Sequence, residues 1–316
     1  MSEMLHSLSA VLLVLMIISV GYAFGRFGWM RKEHKKFVIK LIINVGMPAL
    51  CAYNIFTQFS SEMLSGAGYL VLLPILSMAA TLILGVLLSK LLRIERIRRG
   101  GFIVMCAFSN SIFVGLPMCR ELFGEAAVPY VMFFYLVNTS LFWTIGNSLI
   151  QRSGDREGTK HSFVNDAKRM ATPPLITLLV CIPLLLIGFE PPRLLISFCS
   201  YLGNIVTPLA LLYVGYLLFE TGIKNIRIDR GMTAVMLMRF IIAPATMLLL
   251  CTMVGFGGIG ENVFVIEAAM PVMTQAVVVA SSVEADEKYV AAGMSLTTLA
   301  CFIAVPLLML AVKAFS

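Results

Sequence analysis

The sequence predicts an all-α polytopic membrane protein: ten transmembrane helices in two inverted five-helix repeats, with helices 4 and 9 broken. Three observations lead there. The 316 residues are 59% hydrophobic and 13% charged, against about 45–50% and 25% in soluble domains. Lys and Arg collect in alternate loops. Two apolar stretches, SNSIFVGLP at 109–117 and IEAAMPVMTQ at 266–275, carry helix-breaking residues where a span should be unbroken.

A helix crosses the hydrocarbon in about 20 apolar residues. On that basis the spans fall near 8–26, 36–57, 68–89, 100–119, 128–150, 172–189, 196–219, 232–254, 262–283 and 290–312. The opening MSEMLHSLSA has no basic residue before the first run and no small-residue cleavage pattern after it, so that run reads as a retained span and not a signal peptide. Loops 26–40, 90–99, 151–169, 220–230 and 283–289 hold twenty of the twenty-four Lys/Arg. By the positive-inside rule they face the cytoplasm, leaving both termini on the non-cytoplasmic side. The net charge of +7 is thereby explained by topology and points to no nucleic acid partner.

The longer polar loop divides the chain into repeats 1–151 and 172–316, joined by a cytoplasmic loop at 152–171. Echoes at an offset near 160 support the division. Asn44-x-x-x-Pro48 matches Asn204-x-x-x-Pro208, and the pair Asn138-Thr139 matches Thr297-Thr298. An odd number of spans per half makes the repeat inverted, as in many secondary transporters.

Irregular backbone survives inside a bilayer only when buried in protein or lining a wet cavity. In span 4, Pro117 lacks an N–H and Gly115 eases a bend, so the break is expected there. Asn110 and the flanking Ser109 and Ser111 can cap the freed helix end. In span 9, Pro271 falls near the middle and is followed by Thr274 and Gln275. Two helices broken at mid-depth bring helix N-termini together, which favours an anion. Asn110, Ser111, Thr274 and Gln275 are therefore the candidate substrate-binding residues, and Gly115, Pro117 and Pro271 the candidate breaks. The plain alternative is a pair of tolerated kinks, since Pro and Gly are frequent in membrane helices. Asn44 and Asn204 either bond carbonyls freed by Pro48 and Pro208 or flank the substrate path.

Two ionisable residues lie well within spans, Arg239 and Glu267. Intramembrane charges are expensive and usually paired or functional. Glu267, one turn before Pro271, fits proton or cation coupling, or else faces an outer vestibule. Arg239 fits a partner for Glu267, a counter-ion for an anionic substrate, or a side chain snorkelling to the inner surface.

Enzymatic chemistry finds no support. His6, His34 and His161 fall in tails or loops, and there is no G-x-S-x-G, no paired intramembrane aspartates and no P-loop. The seven scattered cysteines lack a C-x-x-C and read as buried small hydrophobes, with no metal and no cofactor. No filter-like repeat or charged ring indicates a channel. A receptor of the same fold that binds a metabolite without moving it, and a cation-coupled carrier of a neutral solute, stay open.

MPAL after Asn44, SNSIFVGLP followed by ELFG, TPLALLYVG, and the ending AAMPVMTQAVVVASSVEAD…AAGMSLTTLACFIAVP together resemble the auxin efflux carrier family in its compact bacterial, malonate or organic-acid permease-like form. The resemblance covers essentially the whole chain and implies that the membrane is a bacterial inner membrane. It implies a fold akin to sodium/proton antiporters and bile-acid sodium symporters, with crossover helices 4 and 9 and alternating access. It implies a scaffold of the first, second, sixth and seventh helices, often used for homodimers, and a mobile domain bearing the crossover. It also implies Asn110 and Gln275 as binding residues and a small carboxylate as substrate. The inward loop, about twenty residues long, lacks the long regulatory loop of the plant carriers, which argues against plant auxin as cargo.

Overall fold

The computed structural model describes residues 2–58, 67–154, 173–222, 228–283 and 285–315. Most of the expected loop 152–171, including His161, lies outside them. Among the described residues every regular element is helical, and the one departure is a single antiparallel bridge between Ser109 and Val272.

In chain order the helices are α1 (Ser2–Arg26), α2 (Lys32–Thr57), α3 (Ala67–Leu91), α4 (Arg96–Ala107), α5 (Leu116–Phe123), α6 (Glu125–Gln151), α7 (Pro173–Leu186), α8 (Arg193–Thr221), α9 (Arg230–Val254), α10 (Ile259–Ala268), α11 (Thr274–Ser282) and α12 (Glu287–Phe315). Six of them, α2, α3, α6, α8, α9 and α12, are long and apolar enough to cross a bilayer. Two more carry shorter apolar stretches, Leu12–Arg26 of α1 and Ile176–Leu186 of α7. The remaining four are short segments on either side of the two interrupted stretches. His6 and His34 sit on α1 and α2, not in a tail and a loop as expected, because the helices begin earlier than their apolar runs.

The segments start and stop for local reasons. Asp229 caps α9 by accepting from the Met232 N–H at 2.8 Å. Gly255, in the left-handed region at φ 68°, ends it. Several helices contain one wide π-turn, at Ile42–Gly46, Phe142–Gly146 and Met238–Ile242. Such turns re-aim a side chain without ending the helix.

α2 packs against α7 and the first part of α8, while α1 runs along the second part of α8. At the α1–α8 crossing a Cβ on Gly21 would lie 2.1 Å from the Leu212 carbonyl oxygen, and one on Gly215 would lie 2.0 Å from that of Ile18. Glycine is required at both, since close backbone approach replaces the hydrophobic drive that lipid cannot supply. A second group gathers α3, α4, α6, α9, α10, α11 and α12 around residues 108–115 and 269–273. The seven cysteines are free and buried, as expected.

Candidate functional site

Both interrupted stretches are broken helices, and the breaks meet. After α4 the chain is extended at Phe108. It then passes Ser109 and Asn110, makes a π-turn over Ser111–Gly115, and enters α5. After α10 it runs through Met270, Pro271 and Val272 to Met273, from which α11 starts. Each extended strip supplies what the other lacks: Asn110 N–H donates to Pro271 C=O at 2.8 Å, and Met273 N–H to Phe108 C=O at 3.3 Å. The backbone groups freed by breaking two helices are thus bonded to each other in a buried place.

The first break falls at 108–110, about two turns earlier than Gly115 and Pro117 led one to expect. Pro117 lies in the first turn of α5, where a missing N–H is harmless and a fixed φ is helical. Gly115 has a different task. A Cβ there would lie 2.3 Å from Glu267 Oε1, so glycine makes room for the carboxyl. Pro271 is at the second break, as expected, and its carbonyl accepts from Asn110.

Side chains from neighbouring helices hold each break. On α6, Asn138 accepts from Ser109 N–H at 3.1 Å and donates to Ser109 C=O at 2.9 Å. On α12, the Thr297 hydroxyl accepts from Val272 N–H at 3.0 Å while donating to Gly293 C=O at 2.8 Å. Both side chains are fully buried. The sequence marks them as a repeat-related pair, but nothing in it indicates that each grips a break.

Asn110 caps the turn into α5, accepting from Phe113 N–H at 3.3 Å, and its amide donates to the Thr274 hydroxyl at 3.0 Å. Asn110, Ser111 and Thr274 are buried here, and Gln275 beside them is half-buried. The N-terminal ends of α5 and α11 therefore face one another across Asn110 and Thr274.

Arg239 and Glu267 are both fully buried, so neither snorkels nor faces a vestibule. Arg239 Nε donates to Met270 C=O at 2.9 Å and Nη2 to Ser109 Oγ at 2.6 Å. Glu267, in the last turn of α10, lies against Gly115, with Cys119 Sγ 3.7 Å from its Oε1. The two do not form an ion pair; among the described residues each salt bridge lies near a helix end.

Asn44 and Asn204 stand apart from the crossing. Both are exposed, and among the described residues neither donates to a carbonyl freed by Pro48 or Pro208. Asn204 instead accepts from Arg120 Nη2 at 2.9 Å. Pro48 is half-buried on α2 and Pro208 exposed on α8.

A cavity of about 640 Å³ leads to the crossing, within the range of small-molecule sites. Its mouth carries Lys32, Lys35, Glu220, Glu287 and Lys288, on the ends of α2, α8 and α12 that bear the basic loops, with Lys35 and Glu220 paired at 2.8 Å. Its inner part reaches Thr274, Tyr213 and Met294. Beyond it the Phe113 ring packs on Tyr213, centroids 5.3 Å apart. Beside that same mouth Arg98 bonds Asp286 at 2.7 Å, which holds its guanidinium above its ordinary pKa.

An apolar helical body with two broken helices paired in its interior, and a cavity reaching their junction, is an arrangement found in membrane transport proteins. The chain belongs to the membrane transport protein family, the auxin efflux carriers that its motifs resemble; the match spans residues 6–309. It is 28% identical to an uncharacterized transporter of Methanocaldococcus jannaschii, over 92% of this chain and 94% of that one. It is also 28% identical to an uncharacterized transporter of Methanothermobacter thermautotrophicus, over 95% and 97%.

Proposed function

We propose that the protein is a secondary active transporter of small organic anions, mono- or dicarboxylates, working by alternating access with its binding site at the crossing of spans 4 and 9. The observation that carries this reading is the meeting of the α5 and α11 N-termini at Asn110 and Thr274, at the inner end of a cavity whose mouth carries three lysines and two glutamates. Helix N-termini hold a carboxylate with few fixed cations, and Asn110, Ser111, Thr274 and Gln275 supply directional bonds.

In this reading α4 with α5 forms span 4, α10 with α11 forms span 9, and ten spans make two inverted halves, 1–151 and 172–316, joined by a cytoplasmic loop at 152–171. The like duties of Asn138 and Thr297 support that symmetry. So do the close crossings of α1 with α8 for a scaffold of α1, α2, α7 and α8, which also offers the face for a homodimer. The remaining helices carry the crossover past it. The Lys/Arg distribution supports termini outside the cytoplasm, in a membrane that the family resemblance makes a bacterial inner membrane; the cavity then opens inward, with the Phe113–Tyr213 contact on its far side.

The test is uptake by proteoliposomes of labelled malonate, malate, lactate and an aromatic acetate, comparing the wild type with Gln275→Ala. Transport of one acid, lost in the folded variant and lost again when the acid is esterified, is the expected result. An acid that raises the melting temperature without being moved would replace this reading by a receptor. Transport of the ester would replace it by a carrier of neutral solutes.

A further inference from the structure

The crossing has a second pole, opposite in sign to the first. Where α4 and α10 end, their carbonyls point into the protein interior, and helix C-termini carry partial negative charge. In carriers with discontinuous helices such carbonyl ends commonly coordinate the coupling cation. Here the position is filled by a side chain. The π-turn Met238–Ile242 of α9 directs Arg239 onto the junction, where Nε and Nη2 both donate to Met270 C=O, at the end of α10. Nη2 also donates to Ser109 Oγ, at the end of α4. One guanidinium therefore ties the two breaks together. It is fully buried, and it does not line the cavity, which reaches Thr274 on the other face of the crossing.

We propose that Arg239 is the built-in cation of the crossover, its tethered guanidinium occupying the place between the Met270 carbonyl, after α10, and the Ser109 hydroxyl, after α4, where a mobile cation would otherwise bind. Binding and movement of the substrate then require no sodium at this point. Arg239 acts as a positioning residue: it fixes the register of the two breaks, and through them the Asn110–Thr274 side that meets the substrate. Lysine cannot replace it, since a point ammonium lacks the planar fork that reaches Met270 and Ser109 together. The uptake arm of the test rests on the transport reading; the stability arm does not.

Full-length wild type, Arg239→Ala and Arg239→Lys are melted in detergent in sodium chloride and in choline chloride of equal ionic strength, with and without methylguanidinium. The wild type should melt within about 1 °C in the two salts, and Arg239→Ala on the order of 5 °C or more lower, because the buried Met270 carbonyl and Ser109 hydroxyl lose their donor. Methylguanidinium should restore much of that loss, choline none, and Arg239→Lys should fall between. In proteoliposomes, wild-type uptake of the preferred acid should be the same with sodium or choline outside. A wild type whose melting temperature or uptake climbs with sodium overturns the proposal, and so does an Arg239→Ala protein that folds but gains nothing from methylguanidinium. Should Arg239→Ala not fold, the wild-type salt comparison and Arg239→Lys still decide; a lysine variant equal to wild type overturns it. If no acid is carried at all, the transport reading fails while the melting data still judge Arg239.

Discussion

The two breaks do the same work with different hardware. At the first, a carboxamide on α6 grips both polar groups of Ser109, and the residue after it, Asn110, caps the next helix with its own side chain. At the second, one hydroxyl on α12 takes only the Val272 N–H, and the Met270 carbonyl is left to Arg239. Asparagine carries a donor and an acceptor that can both face one peptide; a threonine hydroxyl already committed to Gly293 can only accept. The first break is therefore held by a neutral amide on α6, whereas the second draws in addition on a cation from α9. Two breaks of like geometry can differ in how they satisfy the same backbone groups.

That contrast breaks most visibly at Asn138. Asn138→Ala should destabilise by about 2–4 kcal/mol, because it leaves a buried N–H and a buried C=O of Ser109 without partners; thermal unfolding in detergent measures it. A loss under half that size would mean that water or a neighbour replaces the amide, and the first break would not be the more tightly held.

Gly115→Ala tests the room kept for Glu267. Overpacking there should lower stability by roughly 1–3 kcal/mol and slow uptake. Because the obstructing atoms belong to a side chain, Glu267→Ala in the same protein should restore most of the stability, a coupling that a double-mutant cycle reads directly. Strictly additive effects would put the clash elsewhere.

The smallest effect belongs to Thr297→Val, which keeps the shape and removes one bond to Val272; about 1–2 kcal/mol is expected from unfolding. If it equals Asn138→Ala, the asymmetry between the breaks is not energetic.

Much of the fold was legible in the chain because hydrophobic runs of bilayer length and their basic flanks are local properties. The same holds for Asn110, Pro271 and Thr274, which betray a break by being polar or kinked amid hydrocarbon. Gly115 and Pro117 were legible as unusual and misleading as to place. A proline needs no donor in a first helical turn, so it can follow a break as readily as cause one. Asn44 and Asn204 stood out by their matching Asn-x-x-x-Pro spacing without joining the crossing, because an echo in sequence carries no information on contact.

The sequence by itself determined an all-helical membrane body, the family, and two stretches that could not stay helical. Only the tertiary structure decided what completes them: that the two extended strips bond each other, that Asn138 and Thr297 grip them from α6 and α12, and that Arg239 bonds the Met270 carbonyl and the Ser109 hydroxyl and not Glu267. The physical reason is range. Helix breaking follows from a residue and its neighbours, whereas satisfying the N–H and C=O groups freed at 108–110 and 270–273 falls to partners 25 to 165 positions away, and those are chosen by how the helices pack.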